Sequence, residues 1–136
     1  MSTAVRQSLY SKLTGTSSIT SKLATASSVF HGQAPPDAAY PYIIFHKQAK
    51  SRRRAQAKTV AFEDETWMVK AVDRNTTSNI AEAISEAVEA VLTNGDLTVS
   101  GKTFHDVFPI GDVDYLETDG DQTFRHHGAN YRVTTS

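Results

Sequence analysis

The sequence predicts an α+β fold, a two-layer sandwich with helices packed on one face of a mainly antiparallel, mixed sheet. Two observations carry that prediction. A strongly helical pattern over 77–92 stands between extended segments rich in β-branched and aromatic residues. After it, several extended segments follow one another with only short Gly or Asp-Gly connections, as in antiparallel hairpins.

Element by element, Val5, Leu9 and Leu13 recur at helical spacing, with Ser2 or Thr3 available as N-cap and Gly15 as a left-handed terminator. Ile19 and Leu23 share a face of a second short turn; neither helix is stable without a sheet beneath it. Val29 and Phe30 form a short apolar pair. Pro35 and Pro36 then remove two amide donors, which makes an extended loop, and Pro41 can only begin the next strand. Residues 42–48 read as a buried strand and 62–72 as a second. The latter places Trp67, Val69 and Ala71 on one face and Met68, Lys70 and Val72 on the other. Its charged start, Glu63 to Glu65, is expected to project into solvent. The polar stretch AKSRRRAQAKT between the two strands reads as a basic hairpin loop at about 49–59.

In the helix over 77–92, Ile80, Ile84, Ala87, Val88, Val91 and Leu92 form the stripe, with Glu82, Glu86 and Glu89 opposite. Asn79 and Glu82 have capping-box spacing, and Asn94-Gly95 stops the helix. Beyond it, 97–99, 103–110, 113–116 and 123–133 read as strands, separated by Gly101, Gly111 and Asp119-Gly120-Asp121.

A length of 136 residues suits one domain, 1–136, able to bury roughly two thirds of its unfolded surface. The absence of cysteine excludes a disulfide scaffold, a thiolate zinc site and a cysteine nucleophile. The longest apolar runs are only a few residues, so no membrane span is expected, and the N-terminal MSTAVRQSLYSKL lacks the apolar centre of a signal peptide. A net charge of −1 argues against a general nucleic-acid binder. That sum conceals separated blocks. Lys50, Arg52, Arg53, Arg54 and Lys58 crowd together, while Asp106, Asp112, Asp114, Glu117, Asp119 and Asp121 occupy a stretch without a single base. Such blocks suit a protein that meets partners, or copies of itself, through complementary patches.

The five histidines show no metal-ligand spacing, and His126 and His127 point to opposite faces of a strand. DVDYLETDGD lacks the ligand pattern of a calcium loop; turn chemistry accounts for its Asp-Gly-Asp. No nucleophile elbow and no Gly-rich phosphate loop ahead of a helix are present, so neither an enzyme nor a cofactor is expected. The basic run is a solvated hairpin tip, a phosphate-contacting arm or a clamp onto an acidic protein surface. No aromatic residue interleaves its arginines, so contact with DNA would be blind to sequence.

Taken together, SLYSKLT, then VFHGQAPPDAAYPYIIF, a strand holding Trp67 ahead of IAEAISEAVEAVL, and a C-terminal strand alternating basic and apolar residues resemble a known family. It is that of the tail-terminator (tail-completion) proteins of long-tailed bacteriophages and prophages. The resemblance covers nearly the whole chain and is most specific at Val29, Phe30, Gly32, Pro35, Pro36, Pro41, Tyr42, Ile43 and Ile44. The triple arginine and the His126-His127 pair depart from the general pattern. The resemblance implies a structural virion protein, made in the host cytoplasm and placed at the head–tail junction. It implies a ring, typically a hexamer, that caps the tail tube, ends its polymerisation and presents the head-joining surface. The implied partners are further copies of the chain, the tail tube protein, the head–tail connector (neck) protein and DNA passing through the lumen without sequence-specific recognition. The alternatives are a head-closure or neck ring, or a small sequence-independent nucleic-acid-binding module using the basic loop. The expected interface residues are Lys50, Arg52, Arg53, Arg54 and Lys58 on the basic side, and Asp112, Asp114 and Glu117 on the acidic side.

Overall fold

Helical spacing of Val5, Leu9 and Leu13 produces helix α1, Ala4–Thr14, with all three side chains essentially buried. The computed structural model describes residues 3–54, 60–74 and 79–136, with only the backbone of Arg53, Arg54, Val60 and Ala61. Thr3 precedes α1 without a side-chain cap bond. Gly15 ends the helix in a right-handed conformation (φ −92°), not the left-handed one expected. Space explains the residue: a Cβ there would lie 2.7 Å from the Ser11 carbonyl oxygen. Helix α2, Ser17–Thr20, buries Ile19, and Leu23 beyond its end is buried too.

Strand β1, Val29–His31, pairs in parallel with β2, Tyr42–Arg54. The Pro-rich connection between them carries Tyr40 onto Phe124, with ring centroids 5.3 Å apart, and contains a cis Tyr40–Pro41 peptide. β2 turns back antiparallel into β3, Val60–Asp73, from Tyr42↔Val72 to Arg54↔Val60. Both strands outrun the sequence expectation. Residues 49–54, expected in the loop, belong to β2, because Lys50, Ser51 and Arg52 stand opposite Glu65, Asp64 and Glu63. Opposite charges across a ladder support pairing where no core does. The rest of the expected loop, 55–59 with Lys58, lies outside the described residues.

Helix α3 spans Ile80–Asn94; the expected start at 77 lies outside the described residues. Its buried stripe is Ala81, Ile84, Val88 and Leu92, so Ile80 falls outside it and is 39% exposed. The Asn79–Glu82 capping box does not form, since Asn79 makes no side-chain cap bond; its carbonyl accepts from the Ala83 N–H instead. Residues 97–99 form no strand, yet Leu97 and Val99 reach the core. The two strands expected around Gly111 are one, β4, Phe104–Asp119; a shift in register between Pro109 and Gly111 absorbs the irregularity. β5, Gln122–Thr135, follows the expected Asp-Gly turn, where Gly120 has φ 64°.

The fold is α+β. Its mixed five-stranded sheet has the order β1-β2-β3-β5-β4, with β1 the parallel member. Alternate residues from one face (Ile43 and Phe45; Trp67, Val69 and Ala71; Ala129, Tyr131 and Val133) join Val5, Leu9, Ile84 and Leu92 in one core. Gly128 occupies the centre of the β3–β5 ladder, where a Cβ would collide with the Val69 carbonyl oxygen. No described helix is long and apolar enough to cross a membrane.

Candidate assembly interface

The described parts of the charged blocks lie on different strands, mostly at opposite sides of the sheet. β2 and β4 are separated by β3 and β5, three ladder spacings or about 14 Å across the sheet.

On the β2 side, pairing with β3 brings Lys50 and Arg52 onto Glu63, at 3.1 and 3.8 Å. Lys102, from the loop before β4, reaches the same carboxylate at 2.9 Å. The hydrogen bonds from Lys102 and Lys50 outweigh burial and hold the Glu63 carboxyl below its ordinary range. Three cations on one carboxylate leave this corner net positive, and the Arg52 side chain remains 60% exposed. Arg53 continues the strand opposite Phe62, and Arg54 lies opposite Val60; their side chains, like Lys58, are outside the described residues.

The adjoining acids contradict the expectation that the start of β3 projects into solvent. Glu65 is 1% exposed. It shares the face of Trp67, Val69 and Ala71, and accepts a hydrogen bond from the Trp67 indole N–H at 3.0 Å, with the Lys47 ammonium 4.0 Å away. Strand alternation predicts that placement once residue 65 is counted with 67, 69 and 71.

On the β4 side, the expected acidic trio is split. Asp112 and Asp114 point to the helix face, where they share a groove of about 170 Å³ with Glu86 and Glu89 of α3 and with His127. Asp114 lies 3.4 Å from the Arg125 guanidinium. Glu117 sits on the other face, hydrogen-bonded to His126 at 2.8 Å. His126 stacks on Tyr115 (centroids 4.4 Å apart), and the Tyr115 hydroxyl accepts from Lys70 at 2.6 Å. Burial pushes the His126 imidazole below its ordinary value, more than the Glu117 bond raises it. His126 and His127 therefore do face opposite sides, and among the described residues no group of His, Asp and Glu is arranged to hold a metal ion.

Sequence reasoning missed Glu63, Lys102, Glu86 and Glu89 as members of these patches. The two helix glutamates were legible only as a solvated stripe; the strand that faces them is a matter of topology. It also missed the apolar members of β4: Ile110, Tyr115 and Leu116 are 48%, 44% and 60% exposed.

Comparison with known proteins agrees with this architecture. A chain from the virion of a native gene transfer agent (GTA) particle superposes with a TM-score of 0.72 at 17% identity, over 96% of this chain and 95% of that one. A second solved chain superposes with a TM-score of 0.62 at 18% identity, over 98% and 96%. No curated protein matches the sequence. The profile of the family described as tail completion protein gp17 matches residues 7–136. With all but its first few residues covered by that match, the chain belongs to the tail completion protein gp17 family, a structural protein of the phage virion with its place in the tail.

Proposed function

We propose that the protein acts as a ring of identical copies, a hexamer, that caps the completed tail tube, stops further addition of tube subunits and offers the surface to which the head connector joins. The observation that carries this reading, beyond family membership, is the segregation of charge to opposite edges of one sheet. Lys50 and Arg52 mark the β2 side, Asp112 and Asp114 the β4 side. A patch that matches a different patch on an identical neighbour generates a heterologous contact, and such contacts close into a ring when the rotation between neighbours divides a full turn. DNA passes through the lumen without sequence-specific recognition, while the tail tube and the neck protein dock above and below.

Changing Arg52, Arg53 and Arg54 together to Ala tests the reading. Ring assembly is expected to weaken and tails to lose their uniform length; rings and tails indistinguishable from those of the parent protein would remove the arginines from the interface. A nucleic-acid-binding role would instead appear as DNA affinity falling steeply with added salt.

A further inference from the structure

Among the described residues the sheet has two unpaired edges. β4 borders the sheet along all 16 of its residues. At the other side β1 covers only Ile43, Ile44 and Phe45 of β2, so among the described residues no strand pairs with the outer side of 46–54. An exposed edge of this length is a template for another strand, and proteins that must stay apart blunt such edges with lysine, proline or bulges. β4 carries no Lys or Arg; Pro109 and two shifts in register, both in its first half, are its interruptions.

We propose that neighbouring copies join by sheet extension, the second half of β4 in one copy pairing antiparallel with residues 46–54 of β2 in the next. The inference rests on the ring reading and specifies its contact.

Backbone direction supports it. Thr103 and Ser136 exchange both backbone hydrogen bonds, so Ser136 and every second residue before it in β5 face β4. Their partners Gly111, Val113, Tyr115 and Glu117 thus bond inward, and the N–H and C=O groups of Asp112, Asp114, Leu116 and Thr118 point out of the sheet. In β2, Ile43 and Phe45 bond outward to the β1 side, through Ser28 and Gly32. Alternation, carried across the irregularity between Lys47 and Ala49, turns the groups of Lys50 and Arg52 outward.

Charge selects the partner. Residues 46–54 hold Lys47, Lys50, Arg52, Arg53 and Arg54, whereas β4 holds Asp106, Asp112, Asp114, Glu117 and Asp119. Pairing β4 with its own copy would set acid against acid, which is destabilising across a ladder. Pairing it with β2 sets acid against base. Strand sense agrees as well. β2, β3, β5 and β4 alternate in direction, so β4 runs opposite to β2. Rotation about a ring axis preserves direction along that axis, so β4 of one copy meets β2 of the next antiparallel. Within one sheet Asp114 is level with Ile43, and Arg52 with Phe104. Bringing acid to base therefore requires neighbours to be staggered along the strands, as they are in a closed barrel.

Hydrogen exchange on the full-length protein, with and without tail tubes, tests this by comparing assembled with monomeric chain. Amides in both 112–118 and 46–54 are expected to exchange at least about tenfold more slowly in the assembled species. Rings whose two segments exchange as fast as in the monomer would overturn sheet extension and leave the ring reading standing. A chain that stays monomeric even with tail tubes present overturns both. Protection of β4 alone, in a two-copy species, overturns the β4–β2 pairing. As a second arm, Asp114→Pro deletes an outward N–H while Asp114→Ser keeps it. Loss of assembly in the first alone supports the backbone contact; equal assembly in the two contradicts it, with circular dichroism of the monomer confirming that each variant folds.

Discussion

Glu63 is the shared counter-charge of Lys50, Arg52 and Lys102. It is only 15% exposed and meets Lys102 and Lys50 at 2.9 and 3.1 Å. Removing it leaves two partly buried ammonium groups without a counter-charge, so Glu63→Ala is expected to cost roughly 1–2 kcal/mol in chemical denaturation. Because the folded-state carboxyl titrates below its ordinary value of 4.5, its contribution is present above that pH and fades as pH falls below it. His126 acts in the same direction at higher pH. Burial disfavours its charged form, so below its ordinary value of 6.5 the unfolded chain takes up a proton that the folded chain refuses. The thermal midpoint is expected to fall as pH drops through 6.5, and His126→Phe to flatten part of that slope. Gly128 is constrained by space: Gly128→Ala drives a methyl into the Val69 carbonyl in the centre of the sheet, with an expected loss of about 3 kcal/mol.

At the scale of elements, α1 and α3 hold the sheet from one side through Leu9, Ile84 and Leu92, none of which is measurably exposed. Leu9→Ala or Ile84→Ala is expected to cost about 2–4 kcal/mol, measured as a shift in denaturation midpoint with an unchanged slope. Wherever apolar periodicity governs, these elements were legible in the sequence: α1, the body of α3, the buried parts of β2 and β3, and the Asp-Gly turn into β5. It failed where another force decides. The outer half of the β2–β3 hairpin is held by cross-strand charges, so 49–54 read as loop. Glycine read as a break at 111 and as left-handed at 15, yet the backbone passes Gly111 in a continuous strand and uses Gly15 for close approach to Ser11. Residues 97–99 have the composition of a strand, with Leu97 and Val99 buried, but pair with no strand among the described residues.

For the whole molecule, the candidate interface was legible as charge and not as geometry. The runs at 50–58 and 106–121 are visible in the sequence; the placement of 50–54 and 106–119 on two sides of one sheet depends on the strand order β1-β2-β3-β5-β4, which no local pattern encodes. The same topology splits Glu117 from Asp112 and Asp114, although all three lie within a few residues. Complementary edges predict salt-sensitive self-association. Reversing one edge, for instance Asp112→Lys with Asp114→Lys, is expected to abolish assembly. Mixing that variant with a chain in which Lys50 and Arg52 are changed to Glu is expected to restore pairs that neither forms alone. The most direct test of the account is the mass and shape of the purified protein in solution, read by native mass spectrometry together with electron microscopy. A closed ring of about six times the 14.9 kDa chain is predicted; a monomer at every concentration, indifferent to tail tubes, would contradict it.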